Sequence, residues 1–194
     1  MNNKREGTML EGKLVNLRAL EPGDVDREFQ WVNDREVTRY LTIRYPMAKG
    51  EEERWLTNRP PNDFGNTVLA IETKEGVHIG NCGLHDGQPE NRKASLGIMI
   101  GHKDYWSNGY GSDAIITLLR FAFHEMNMNR VWLHAYDFNE RAIACYKKCG
   151  FVVEGTLREN SYREGRYINT ITMGVLRDEF EALHGVAAAQ EVAL

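Results

Sequence analysis

Ile98-Met99-Ile100-Gly101-His102-Lys103-Asp104-Tyr105-Trp106-Ser107-Asn108-Gly109-Tyr110-Gly111-Ser112-Asp113-Ala114 is the stretch that decides how the 194 residues are read. It reads as a strand end, a short loop holding Gly109 and Gly111, and the start of a helix. Glycine lets the backbone curl so that several N–H groups point into one concavity. The helix N-terminus adds partial positive charge there. Such a loop suits a pyrophosphate, although most GxG turns before a helix are only turns. A nucleotide-binding domain of P-loop or dinucleotide type is disfavoured, because no GK[ST] ending and no third glycine of that kind follow.

Working outward, Leu14 to Leu20 alternates as a strand, and Glu21-Pro22-Gly23-Asp24 ends it. Asp24 is placed to cap a helix carrying Val25, Phe29 and Val32. A second helix is predicted from Lys49 to Asn58, with Glu51, Glu52 and Glu53 in its first turn. Thr67 to Glu72 and Val77 to Leu84 read as strands joined at Lys74-Glu75-Gly76, and Ala94 to Ile100 as a third. The helix after Gly111 carries Ile115, Leu118, Leu119, Ala122 and Met126 along one stripe. Val131, Leu133 and Ala135 alternate as a strand. Asn139 is placed to cap a helix bearing Ala142, Ile143, Tyr146 and Cys149, which Gly150 stops. Phe151 to Leu157 and Arg166 to Leu176 form a hairpin around Arg163-Glu164-Gly165. The fold class is therefore α/β (α+β by some schemes), a mixed sheet with helices on both faces. One domain is expected over residues 11–184, with a flexible leader at 1–10 and a tail at 185–194.

Composition narrows the function. With 24 Lys+Arg against 28 Asp+Glu, the net charge of −4 and the lack of a basic run give nucleic-acid binding little support. No apolar run approaches the roughly 18 residues of a membrane span, and the start has no secretory pattern. Cys82, Cys145 and Cys149 form no CxxC pair, so neither a metal site nor a disulfide is expected and a cytoplasmic location is read.

A second segment, Asn139-Glu140-Arg141-Ala142-Ile143-Ala144-Cys145-Tyr146-Lys147-Lys148-Cys149-Gly150-Phe151, lies one helix and one strand downstream. Together the two resemble the GNAT superfamily of N-acetyltransferases. The first is similar to its acyl-CoA pyrophosphate motif, Q/R-x-x-G-x-G/A, and the second to its N…A…Y-x-x-x-G-F motif. Glu154-Gly155-Thr156-Leu157-Arg158-Glu159, the pattern Tyr167…Met173…Leu176, and the openings Val15 to Asp24 and Trp31 to Asp34 resemble the branch holding ribosomal-protein alanine and spermidine acetyltransferases. The likeness runs from about Leu14 to Leu176.

The resemblance implies a twisted, mostly antiparallel sheet of six to seven strands. It also implies acetyl-CoA as co-substrate and a primary amine as acceptor, either a peptide α-amine or a small amine. Polyamines, aminoglycosides and amino sugars stay open, as does an acyl-CoA sensor or scaffold without turnover. Relatives are often dimeric, so a homodimer is open too. Ile98, Met99 and Ile100 should line the pantetheine arm, with the Met99 or Ile100 N–H meeting the oxyanion. Trp106, Ser107, Asn108, Gly109, Tyr110, Gly111 and Ser112 should wrap the pyrophosphate. Asn139 should reach the pantetheine, and Tyr146 should stand at the thioester sulfur as the catalytic proton donor. Trp106 departs from the usual Gln/Arg, and Ser95 stands where many relatives carry a glutamate base. Glu72, His85, His134 or a water relay remain for that role. The acceptor pocket is expected among the N-terminal helices, the loop Arg39 to Pro46 and the hairpin near Tyr162, with Arg39 and Arg44 more often solvated charges than ligands. A lysine-like amine costs about 4.6 kcal/mol to neutralise at pH 7, a peptide α-amine about 1.4 kcal/mol.

Overall fold

The computed structural model describes residues 10–185. The leader before Leu10 and the tail beyond Gly185 lie outside them. Leu10 itself belongs to the sheet: β1 (Leu10–Glu11) pairs with β2 (Val15–Ala19), Leu10 opposite Leu17. Then come α1 (Val25–Asn33), α2 (Arg35–Thr38), α3 (Lys49–Asn58), β3 (Thr67–Thr73), β4 (His78–Gln88), β5 (Lys93–Ile100), α4 (Tyr110–Arg120), β6 (Arg130–Tyr136), α5 (Glu140–Lys148), β7 (Val152–Arg163), β8 (Arg166–Leu176) and α6 (Arg177–His184). The sheet has eight strands in the order β1-β2-β3-β4-β5-β6-β8-β7, one more than the sequence suggests. The extra strand is the two-residue β1, too short to show a period. Every pairing is antiparallel except β5 with β6.

Side chains alternate across a strand, so neighbouring residues of β4 define the two layers. Cys82 and Leu84 point into a core with Ile115, Leu118, Leu119 and Phe123 from α4 and the turn after it. Asn81 points the other way and donates to Glu28 of α1 at 2.6 Å. All seven residues of β3 are buried, as a strand covered on both faces requires.

Four local expectations are corrected. Asp24 makes no side-chain cap for α1; its carboxylate instead takes both terminal guanidinium nitrogens of Arg18 at 2.8 Å. The stripe after Gly111 does not run to Met126 as one α-helix. A π-helical turn, Phe121–Glu125, replaces its last turn, and the Arg177 guanidinium donates to the Phe123 carbonyl. α2 and α6 escaped the periodicity. α6 is held by Glu179, whose carboxylate accepts the Leu176 N–H at 2.9 Å, and by the fully buried Phe180 against Phe123. β7 runs on to Arg163, because the register slips between Leu157 and Ser161 and the pairing then resumes. Among the described residues no helix is long and apolar enough to cross a membrane.

Beneath α1 lies a buried polar cluster. His78 stands 3.2 Å from Asp24 and 3.3 Å from Glu28, and the Trp31 ring meets it edge-on at 4.9 Å. Burial pushes the Glu28 carboxyl up to about 7, although His78 and Asn81 pull against that. A carboxyl raised in the folded state contributes stability that is fully present below its ordinary value of 4.5 and is lost as pH rises through about 7. Glu28→Gln removes that dependence. Urea unfolding at pH 5 and pH 8 should show the variant gaining on the parent by on the order of 2 kcal/mol at the higher pH. Glu52, also raised by burial, adds to the rise of Glu28. An unchanged gap between variant and parent would contradict this.

Candidate active site

β5 and β6 run side by side only from Lys93–Arg130 to Ser95–Trp132. Beyond that pair they part, and the rest of β5 faces a gap bordered by α4 and α5. Backbone groups alternate in direction along a strand. The Gly101 N–H donates to Ile79 on the β4 side at 2.9 Å, and the β4–β5 register is unbroken from Ile100 back to Ser95. Met99 and Gly97 therefore bond towards β4, and Ile98 and Ile100 turn their N–H and C=O groups into the gap. The Trp106 indole N–H confirms the direction by donating to the Ile100 carbonyl at 2.7 Å.

The turn below the gap is built as the glycines suggest. Ser107 and Gly109 have φ of 62° and 89°. Gly109 is the N-cap of α4 and supplies no side-chain bond to it, so the first N–H groups of this 11-residue helix have no side-chain partner at the cap. Gly101 has another purpose: a Cβ there would stand 2.1 Å from the Trp31 ring, so α1 can seat on the strand end only over glycine.

A cleft of about 390 Å³ opens here. Ile98, Met99, Ile100, Trp106, Ser107, Gly109, Gly111, Ser112, Asn139 and Tyr146 all line it. Asn108 and Tyr110 do not. The Asn108 amide is turned back to the Asp104 carbonyl at 3.1 Å. Tyr110 packs its ring against Tyr105, centroids 5.0 Å apart, beside the core. Tyr40 and Leu41, from the loop expected at the acceptor pocket, also line the cleft; wall residues not anticipated are Val37 and, above all, Arg141. The Arg141 guanidinium lies 4.4 Å over the Trp106 ring. The cation sits in the first turn of α5, two residues beyond the cap Asn139, so it was within reach of the motif. Its stacking partner was not.

Asn139 accepts the Ala142 N–H on Oδ1 at 3.3 Å, which leaves its amide nitrogen for a ligand. Tyr146 packs edge-on to Phe151 at 6.0 Å, and its hydroxyl bonds to no described residue. Burial, helped by the Cys145 and Cys149 thiols, pushes that phenol well above its ordinary range, so it is a donor throughout the physiological range. Cys145 joins α5 to α4, its sulfur 3.2 Å from the Ser112 hydroxyl.

The three candidate bases separate. Glu72 is buried in an ion pair with Arg18 at 2.8 Å. His134 is exposed on β6 with its ring against Trp132 at 4.9 Å. His85 is half-buried on β4 opposite Ser95. Arg39 pairs with Glu164 at 3.3 Å and sits 5.6 Å over Phe138. It is thus a tie between the loop and the hairpin. Arg163, which the sequence suggests only as part of the hairpin turn, fastens the same loop by donating to the Ile43 carbonyl at 3.2 Å and to the Leu41 carbonyl. Tyr162 faces outward beside Tyr167, ring centroids 5.0 Å apart.

Known proteins match the chain in sequence and in fold. A family model described as an acetyltransferase (GNAT) domain matches residues 15–152. The spermidine N(1)-acetyltransferase of Vibrio cholerae is 28% identical over 166 residues, 86% of this chain and 95% of that protein. An N-acetyltransferase from a Bacillus subtilis prophage is 26% identical over 178 residues, 92% of this chain and 98% of that one. The crystal structure of the Vibrio cholerae spermidine enzyme, solved with CoA and spermine, superposes with a TM-score of 0.78 at 28% identity, covering 86% of this chain and 98% of that one. Matched along most of its length by sequence and by structure, the chain belongs to the GNAT family of acetyltransferases.

Proposed function

We propose that the protein transfers the acetyl group of acetyl-CoA to a primary amine, a peptide α-amine or a small amine, by direct attack with both substrates bound. The observation that carries this is the parting of β5 from β6 directly above an uncapped helix N-terminus, with Tyr146 in the same cleft. The residues fit the co-substrate. Backbone N–H groups from Ser107 to Ser112 and the nearby Arg141 cation suit a diphosphate. The open edge of β5 offers a pantetheine arm the same ladder that a further strand would use.

Ile98 and Ile100 hold the N–H groups that can meet the carbonyl oxygen as charge develops on it. A donor of that kind is worth about 3 kcal/mol of barrier. Of the two, Ile98 keeps its carbonyl free of Trp106. The Met99 N–H bonds towards β4 instead, and so is not placed to meet the oxyanion. Asn139 steadies the arm through its amide nitrogen, and Tyr146 gives a proton to sulfur. Trp106 takes the place of a polar side chain by bracing the turn against Ile100 and carrying Arg141 on its ring.

The relative that acetylates spermidine supports a small polyamine among the acceptors, and a peptide α-amine remains beside it because its proton is the easier to remove. A mass-shift screen with acetyl-CoA against spermidine, alanine-ended peptides and aminoglycosides tests the reading. An acetylated product from at least one amine is expected. Coenzyme binding with no product from any of them would instead make the chain a sensor.

A further inference from the structure

We propose that His85 is the general base that deprotonates the acceptor amine. This rests on the acetyl-transfer reading above and supplies the group that reading lacks. The side chain lies on the face of the sheet that carries Gly83, Gly97 and Met99, opposite the core face of Cys82 and Leu84. Its ring rests over two glycines on neighbouring strands: a Cβ at Gly83 or at Gly97 would each stand 3.2 Å from Nε2. Any other residue at either place would press on that nitrogen. With glycine at both, the ring lies flat on the sheet with Nε2 beside the two strands; at Gly83 the Thr67 carbonyl, 2.3 Å from such a Cβ, already requires glycine.

The other ring nitrogen fixes the tautomer. Nδ1 lies 2.7 Å from Asn66 Oδ1, an atom that only accepts, so Nδ1 carries the proton and Nε2 of the neutral ring holds a lone pair. Burial lowers the imidazole below its ordinary value; Asp86 pulls it back up and Arg59 pushes it further down. Of the charged groups around it, Asp86 is held by the Ser95 hydroxyl at 3.2 Å and Asp63 by the Asn66 backbone N–H at 2.8 Å. The ring is therefore neutral at pH 7. Ser95, opposite His85 on β5, leaves room for this: its hydroxyl turns to the His85 carbonyl at 3.1 Å.

Position agrees with the task. Gly97 lies two residues before Met99 on one face of β5, a span on the order of 7 Å along the strand. Met99 lines the cleft where the thioester is placed. His85 lies just outside the cleft lining, and an amine seated between it and Met99 would reach Nε2 directly or through one water. Glu72 is held by Arg18, and no hydrogen bond fixes the exposed His134 ring among the described residues.

The step balances as follows. The bound ammonium gives one proton to His85 Nε2, which later passes it to solvent. The freed nitrogen pair forms the C–N bond at the thioester carbonyl, and collapse breaks the C–S bond. The sulfur takes the Tyr146 hydroxyl proton, and the second amine proton restores the phenol.

The test compares pH profiles of kcat for the full chain, His85→Gln and His134→Gln, with spermidine and an alanine-ended peptide as probes. The parent should lose rate on acidification with a single ionisation below the ordinary histidine value. His85→Gln should lose about 10²-fold in kcat together with that acid limb. Added imidazole should restore part of the rate, and acetyl-CoA affinity and the melting temperature should be unchanged. His134→Gln should keep both rate and limb. Asn66→Asp sets a carboxylate against Nδ1 and should move the limb to higher pH. The proposal is overturned if His85→Gln folds, turns over within a few-fold of the parent and keeps the limb, or if His134→Gln loses the limb. A parent that binds acetyl-CoA yet acetylates neither probe nor any amine of the wider panel removes the acetyl-transfer reading, and the base with it.

Discussion

Tyr146→Phe is expected to lower kcat by about 10²-fold or more while leaving the affinity for acetyl-CoA unchanged. The substitution deletes one hydroxyl that bonds to no described residue, and the remaining ring still meets Phe151 edge-on. Neither fold nor cleft volume should therefore change. The effect isolates what the phenol does for the leaving thiolate. A thiol of ordinary pKa, about 8.5, is already more acidic than an ordinary phenol, about 10, so full transfer starts about 2 kcal/mol uphill. Burial in this cleft moves the phenol further up and enlarges the gap. On the proposed mechanism Tyr146 would serve as a strong hydrogen-bond donor whose proton crosses only as the C–S bond breaks and sulfur loses its solvent. The same burial means that no basic limb below about pH 10 should come from this residue. Steady-state kinetics at pH 8 decide the matter. A variant within twofold of the parent would place the proton donor elsewhere.

Ser112→Asp should raise the Kd for acetyl-CoA by about 10²-fold without destabilising the protein. Ser112 is the third residue of α4 and lines the cleft. A carboxylate there would meet the N–H groups and positive end of the dipole that the diphosphate is proposed to use. Helix stability should hold or rise by about 0.3–1 kcal/mol, because a first-turn carboxylate suits the dipole. Coenzyme affinity should fall, since two unit charges about 5 Å apart repel by about 3 kcal/mol at an effective dielectric constant near 20. Calorimetry beside a melting curve separates the two effects. A melting temperature that falls along with affinity would indicate a damaged helix rather than an occupied anion site. Ser112→Ala, which removes only the contact with Cys145, should bind nearly as the parent does.

The parts of the site visible in the sequence are those made by backbone shape. Gly109 and Gly111 announce a curl because only certain φ values allow one, and Asn139 announces a helix start because its side chain replaces a missing carbonyl. All three line the cleft. Asn108, in the loop before the cap, and Tyr110, the first residue of α4, turn their side chains to Asp104 and Tyr105, so that only their backbone is left to face a ligand. What could not be read depends on distant partners. The orientation of His85 is set by Asn66, 19 residues away, and by glycines on two strands whose register no periodicity gives. Arg141 gains its place from Trp106, and the loop after α2 gains its from Arg163. Asp24 shows the same limit: its spacing before α1 suits a cap, but Arg18 holds its carboxylate. The choice of Met99 or Ile100 for the oxyanion also needed the register, because direction along a strand flips with every residue.

Isothermal titration calorimetry of the purified protein with coenzyme A and with acetyl-CoA bears most directly on whether the turn from Trp106 into α4 grips a diphosphate. One binding site per chain is expected, with Kd of about 1–100 µM, in the range typical of enzyme substrates. Affinity should weaken as salt screens the phosphate contacts. No heat and no thermal shift with either compound up to millimolar concentration would contradict it.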